Sequence, residues 1–329
     1  MNLKLKKDVI NNPELLPGTS GIFKFHSGNE ILYLAKTTDI RRSVSSLLTS
    51  QPEDEQVLKM ISLTKEISWE VENNILSALL KEKIELSRNA PQFNNLIDPI
   101  SAYVYLSINF QKVPYFSLSE NTLQEDYYLG PFFNRFFLLD FIAVLGELKK
   151  YPACESDNYP CLRYQNGTCS GWCLKDSSET AEMIVNNYLV INEDLVENLK
   201  IQQQLYFNDL EFVKENALKE QLEVILKYYD LLKFFHTVKQ IDLNFSYNNH
   251  EIKLQKGQIE ELIFEGKTFN FPISKPQYRS SEYLAIEKMQ LSESRILYNY
   301  LKKKYSQKID QIYFDSVKNI YKIMDLNGE

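Results

Sequence analysis

The chain lacks any apolar run near the roughly 18 residues that a bilayer-spanning helix needs, and it lacks an excess of positive charge. Lys and Arg total 37 against 44 Asp and Glu, giving a net charge of −7 over 329 residues. That balance excludes a whole-molecule polyanion binder, so any contact with nucleic acid must come from a local basic face. Lys4, Lys6 and Lys7 are followed by no apolar stretch of the signal-peptide kind, so the expected location is cytoplasmic, with no membrane partner. The three histidines, His26, His236 and His250, have no ligand spacing and read as packing or surface residues. No internal repeat or low-complexity tract occurs.

Aromatic residues, by contrast, are plentiful: 21 Tyr and 19 Phe point to well-filled cores. The length suggests two or three modules rather than one core. Within residues 1–50, Lys4, Lys6, Lys7, Lys24, Lys36, Arg41 and Arg42 outnumber Asp8, Glu14, Glu30 and Asp39 by three, a modest basic face.

Period-two alternation over residues 20–36, turning at Ser27-Gly28-Asn29, predicts a hairpin. Asp39 is placed to cap a helix from Ile40 whose Val44, Leu47 and Leu48 face inward. A second helix is expected over about 70–88, ending before Pro91, with Asn94 in an extended segment. Glu82 falls on that helix's apolar side, where a carboxylate needs a partner, a metal or water. A helix is expected from Asn134 to Lys149, helical periodicity runs over 180–235, and a β-meander over 241–271 turns at Asn248-Asn249, Lys256-Gly257 and Glu265-Gly266. Two helices end the chain. The expected fold class is therefore α+β.

The four cysteines lie within twenty residues, as Cys154-x6-Cys161-x7-Cys169-x3-Cys173. Clustered thiols in a reducing compartment hold a metal more often than a disulfide. Four thiolates suit zinc or an iron–sulfur cluster, and unligated thiols are the third alternative. The absence of a CxxC knuckle lowers the zinc reading.

Gly21-Ile22-Phe23 followed by Tyr33-Leu34-Ala35 resembles the GIY-YIG nuclease domain, and more specifically that of the UvrC family, the incising subunits of bacterial nucleotide excision repair. The resemblance continues through "RSVSSLL", "SALLKEKIELSRNAPQFN", "VPYFSL", "YYLGPFF" and "YPCLRYQNGTCSGWC", and reaches "LEFVKENALKEQLEVI", a worn copy of the UVR hairpin. Order and spacing hold over roughly the first 225 residues. It implies a GIY-YIG nuclease-like domain at 1–98, an aromatic-rich linker with a helix at 99–152 and a cysteine-rich metal module at 153–178. A UVR-like helical region at 179–235 follows, then a C-terminal meander with helices at 236–329 of unknown role.

By the same resemblance, Tyr33 is the tyrosine that activates the attacking water, Lys36 the lysine after YIG, Glu82 the metal-binding glutamate and Asn94 the motif asparagine. The GIY tyrosine is Phe23, without a hydroxyl, and the position of the catalytic arginine is Ser43. Arg42, one residue away, is the candidate substitute, although one helical step turns a side chain by about 100°. A guanidinium stabilises the charge that builds on the phosphoryl oxygens, and losing such an arginine costs on the order of a thousandfold. The implied cofactors are Mg²⁺ or Mn²⁺ at Glu82 and a 4Fe–4S cluster at the cysteines. The implied partners are DNA and, through the hairpin at Leu210, Glu211, Phe212, Leu218, Gln221 and Leu222, a UvrB-like protein. Two functions from different classes follow: a metal-dependent endonuclease with an incomplete catalytic set, or a non-catalytic scaffold, a pseudoenzyme that binds DNA or a partner.

Overall fold

A computed structural model describes residues 2–49, 54–94, 96, 103–111, 113–122, 126–150, 161–175, 177–273 and 284–326. In chain order these form β1 (Asn2–Leu5), α1 (Lys6–Asn11), β2 (Gly21–Ser27), β3 (Glu30–Thr37), α2 (Ile40–Thr49), α3 (Glu55–Leu63), β4 (Glu66–Val71) and α4 (Ile75–Asn89). Then come β5 (Val104–Ile108), β6 (Phe116–Ser119), β7 (Tyr127–Phe132), α5 (Arg135–Lys149), α6 (Leu162–Gln165), α7 (Ser177–Ile184), α8 (Glu193–Asn208) and α9 (Phe212–Val238). The last elements are β8 (Leu243–Tyr247), β9 (His250–Gln255), β10 (Gln258–Phe264), β11 (Lys267–Asn270), β12 (Leu284–Ala285), α10 (Leu291–Lys304) and α11 (Ser306–Leu326). Helix and sheet are mixed as the α+β expectation requires. Among the described residues no helix is long and apolar enough to cross a membrane.

The residues divide into two compact units, one of 1–99 with 245–252 and 261–271, the other of 100–244, 253–260 and 272–329. In the first unit the sheet order is β1-β4-β2-β3, with β2 antiparallel to both neighbours. Gly28 makes the β2–β3 turn at φ +65°, a conformation glycine adopts without steric cost. β2 is central and buried on both faces. Its Phe23 and Phe25 join Ile40, Val44, Met60 and Phe93 on one side, while Ile22 meets Leu34 and Ala78 of α4 on the other. Gly21 is fixed by crowding: a Cβ there would lie 2.1 Å from the Glu70 carbonyl oxygen of β4. The first letter of the GIY motif is thus a packing requirement.

The side chain of Asp39 accepts from Arg42 N at 2.9 Å, so α2 begins where its cap predicts. Asn74 caps α4 by accepting from Leu76 N and Ser77 N. The helix expected over about 70–88 therefore starts five residues later, because the alternating Ile67 and Trp69 place Glu66–Val71 in strand β4. Ala90, in the left-handed region at φ 40°, ends α4 ahead of Pro91. Asn94 is not in an extended segment but ends a 3₁₀ turn, Gln92–Asn94, that brings its amide to β3.

In the second unit β5 pairs antiparallel with β6 and β7, and β12 runs parallel to β7. The described residues of the segment 99–152 thus supply sheet strands and α5 rather than only a linker. Asn134 caps α5, and Phe141 of α5 stacks on Tyr228 of α9 with ring centroids 3.5 Å apart. The stretch "LEFVKENALKEQLEVI" is a turn followed by the first half of one 27-residue helix, α9. The antiparallel arm of the hairpin is α8, and the chain reverses at Leu210, φ 58°. The meander has order β11-β10-β9-β8, and its three reversals carry positive φ at Asn248, Lys256-Gly257 and Glu265-Gly266, matching the turn sequences.

Candidate active site

β3 is an edge strand, so the outward N–H and C=O groups along it have no ladder partner. Two of the predicted site residues supply that missing partner. The Asn94 carboxamide accepts from Leu34 N at 2.9 Å and donates to Leu34 O at 2.6 Å, the two-point contact that a neighbouring strand would make. Glu82, buried on α4, accepts from Lys36 N at 2.9 Å through one oxygen and from Lys36 Nζ at 2.8 Å through the other. The partner that Glu82 needs is therefore Lys36, and the structure brings Leu34, Lys36, Glu82 and Asn94 together.

Tyr33 is half-buried, its ring 6.3 Å from both Phe23 and Phe25. Burial first, and the Glu82 carboxylate second, push its phenol up to about 12. It is a neutral donor at physiological pH, not a base. Phe23 is 2% exposed and packs edge-on against Phe25 at 5.7 Å. A hydroxyl there would have to find a partner inside an aromatic cluster.

Ser43, at the position the resemblance gives to an arginine, exchanges a 2.6 Å hydrogen bond with Thr37 Oγ1. That Thr37 hydroxyl also donates to Asp39 O and accepts from Asp39 N, so Ser43 belongs to the turn that opens α2. Of the adjacent arginines, Arg41 is part-exposed and has protein partners. Its Nε donates to Leu16 O at 2.8 Å and its guanidinium pairs with Glu14 at 2.6 Å. Arg42 is exposed. The basic face counted from residues 1–50 also shrinks elsewhere: Lys24 is 5% exposed and held by Glu85 at 2.7 Å. Sequence reasoning missed this inner pair, whose signal was a lysine between Phe23 and Phe25 in the middle of a strand.

Among the described residues no group of three or more His, Cys, Asp or Glu side chains is arranged to hold a metal. Glu82 offers one carboxylate, each oxygen of which keeps a second lone pair beyond its bond to Lys36. A single protein carboxylate with several waters is an ordinary Mg²⁺ site, so the donor present fits such an ion. Of the cysteines, Cys154 lies outside the described residues. Burial, then the neighbouring Cys169 and Cys161, raise the Cys173 thiol. Cys169 Sγ accepts from Gly171 N at 3.4 Å.

Residues 19–95 match the family model described as the UvrC-like GIY-YIG domain. This segment is a UvrC-like GIY-YIG domain. UvrABC system protein C of Fervidobacterium nodosum is 23% identical over 278 residues, which cover 77% of this chain and 47% of that protein. The same protein of Finegoldia magna is 27% identical over 237 residues, 67% of this chain and 39% of its own length. The chain thus spans less than half of each of these two relatives. A solved GIY-YIG N-terminal endonuclease domain of UvrC from Thermotoga maritima, bound to magnesium, covers 27% of this chain and 98% of its own at 21% identity, with a TM-score of 0.25.

Proposed function

We propose that the chain is a UvrC-like protein acting on DNA in nucleotide excision repair, whose GIY-YIG site is impaired as a nuclease and serves as a scaffold. The observation that carries this reading is the fate of Ser43. No guanidinium stands at the arginine position, and the serine hydroxyl is committed to Thr37 rather than to a substrate oxygen. Arg41 cannot substitute while it is tied to Glu14 and Leu16. Phe23 removes a second polar group from the same side.

Glu82 would hold Mg²⁺ or Mn²⁺, which when bound supplies charge neutralisation at a phosphoryl oxygen. The chain's own residues do less than a nuclease needs. Tyr33 keeps its proton, Asn94 fixes the strand that carries it, and Lys36 is balanced by Glu82. The four-cysteine segment, Cys154, Cys161, Cys169 and Cys173, supports a 4Fe–4S cluster through its resemblance to the family's cysteine-rich segment, and Cys169 and Cys161 both act on the Cys173 thiol. The tip of the α8–α9 hairpin supports docking of a UvrB-like protein: Leu210 is 72% and Val213 85% exposed, beside exposed Phe207 and Phe212. Apolar side chains at such exposure mark an interaction surface.

A nicking assay with Mg²⁺ or Mn²⁺ on damaged, branched and plain duplex DNA tests the reading. The native protein is expected to be nearly inactive, and Phe23→Tyr with Ser43→Arg to gain activity, at most on the order of the thousandfold such an arginine contributes. Vigorous native nicking abolished by Arg42→Ala would overturn the impaired-site reading and make Arg42 the clamp.

A further inference from the structure

The turn between α10 and α11 gathers positive charge in a chain that is acidic overall. Lys302, Lys303, Lys304 and Lys308 lie within seven residues, all exposed. Around them the described ion pairs are Lys302 and Arg295 with Asp230, and Lys233 with Asp310. Lys303, Lys304 and Lys308 have no carboxylate partner among the described residues. Lys304 instead lies over the rings of Tyr300 and Tyr305, at 5.6 and 5.3 Å.

Lysines at the end of α10 complement its exposed carbonyls, and that alone would be ordinary. Lys308 is different. It is the third residue of α11, whose first turn contains no acidic residue. A cation there opposes the positive end of the helix, so its placement works against local stability. The start of α11 adds to the field of the three lysines, while of the seven cations counted over residues 1–50 Arg41, Lys36 and Lys24 are paired with Glu14, Glu82 and Glu85.

We propose that the α10–α11 turn is a contact surface for the phosphate backbone of a nucleic acid, read by charge and not by base sequence. The proposal rests on DNA being the partner, as argued above, and adds where the backbone is held. An anionic membrane is the weaker fit, since surface-binding helices also need an exposed apolar face. Here Leu301 and Ile309 are buried, and what the turn exposes is Lys, Ser306 and Gln307.

The test is anisotropy of labelled duplex and single-stranded oligonucleotides titrated with the full chain from 20 to 200 mM salt. Lys303→Gln, Lys304→Gln and Lys308→Gln combined should weaken binding by at least about tenfold at low salt. It should also flatten the slope of log affinity against log salt by up to about 2.7 for duplex, 0.9 for each phosphate that is no longer neutralised. Lys302 is left in place because it pairs with Asp230, and an unchanged thermal melt shows the variant is folded. Unchanged affinity and slope in the triple variant overturns the inference while leaving DNA as the partner. A native chain that binds neither oligonucleotide at 20 mM salt overturns both. Binding to phosphatidylserine vesicles that the triple variant loses, without DNA binding, assigns the turn to a membrane and also overturns it.

Discussion

The two sides of the candidate site differ in how far their residues are built into the fold. On the side of β3 and α4, Lys36, Glu82 and Asn94 are present and make four short hydrogen bonds to one another and to the strand backbone. On the side of β2 and α2, the positions that the resemblance gives to a tyrosine and an arginine hold Phe23 and Ser43. Physical necessity separates the two sets. Asn94 and Glu82 satisfy the N–H groups of an edge strand, so losing either leaves buried polar groups stranded. A hydroxyl at residue 23 or a guanidinium at residue 43 holds no described part of the fold. Glu82 and Asn94 are residues that the fold itself needs, so their presence says little about nuclease activity.

The largest effect should come from removing one member of the intact side. Glu82→Ala strands the Lys36 ammonium and its backbone N–H in a mostly buried place. Breaking a buried pair this way costs about 3–5 kcal/mol, and the partial exposure of both side chains puts the expected loss near the lower end. Asn94→Ala should cost less, about 1–3 kcal/mol, because two backbone groups of Leu34 lose one partner each. Denaturant melts of the two variants check both figures. A Glu82→Ala protein as stable as the native one would mean that the glutamate is kept for a metal alone.

The same rule extends to the second unit, where a buried histidine holds backbone. His236 Nε2 lies 2.6 Å from Leu189 O, at the end of the π-helical turn Val185–Leu189, and Nδ1 lies 3.0 Å from Ser316 Oγ. Burial lowers the imidazole to about 4, with the Leu189 contact acting against it. Because the folded value lies below the ordinary 6.5, its contribution to stability is complete above pH 6.5. That contribution diminishes as the pH falls from 6.5 toward 4. The expected loss is about 3 kcal/mol by pH 4. His236→Phe should flatten that part of the profile, read by thermal melts across about pH 4–8. An identical slope in the variant would place the acid sensitivity on other groups.

Legibility from sequence divides along the same line. The β2–β3 hairpin, the Asp39 cap and the meander turns are legible because each is a local pattern of side-chain period, cap or turn chemistry, whereas Tyr33, Lys36, Glu82 and Asn94 are linked as one set only by the family resemblance. Strand β4 escapes such reading because Ile67 and Trp69 give only two inward positions before Asn74 starts α4. Strands β5–β7 are hidden by their aromatic density, which signals burial without a period. The consumption of Arg41 by Glu14 and of Lys24 by Glu85 has no local signature, since the partners lie 27 and 61 residues away. A count of charges cannot tell a free cation from a spent one.

The smallest effect belongs to the altered side, and it sharpens the comparison most. Ser43→Ala removes one hydroxyl from the hydrogen-bonded turn around Thr37. Thr37 Oγ1 still donates to Asp39 O and accepts from Asp39 N, so nothing is left without a partner. The cost should stay at or below about 1 kcal/mol, the usual net worth of one hydrogen bond whose removal strands no buried group. Nicking by the native and Ser43→Ala proteins should be indistinguishable, because a serine bound to Thr37 stabilises no phosphoryl charge. A thermal melt of Ser43→Arg beside that of Ser43→Ala shows whether the half-buried start of α2 accepts the longer side chain, which is the condition for reading Ser43→Arg as a test of chemistry. A Ser43→Ala loss of several kcal/mol would show instead that the Thr37 turn depends on the serine. The arginine position would then have been rebuilt as part of the fold rather than merely emptied.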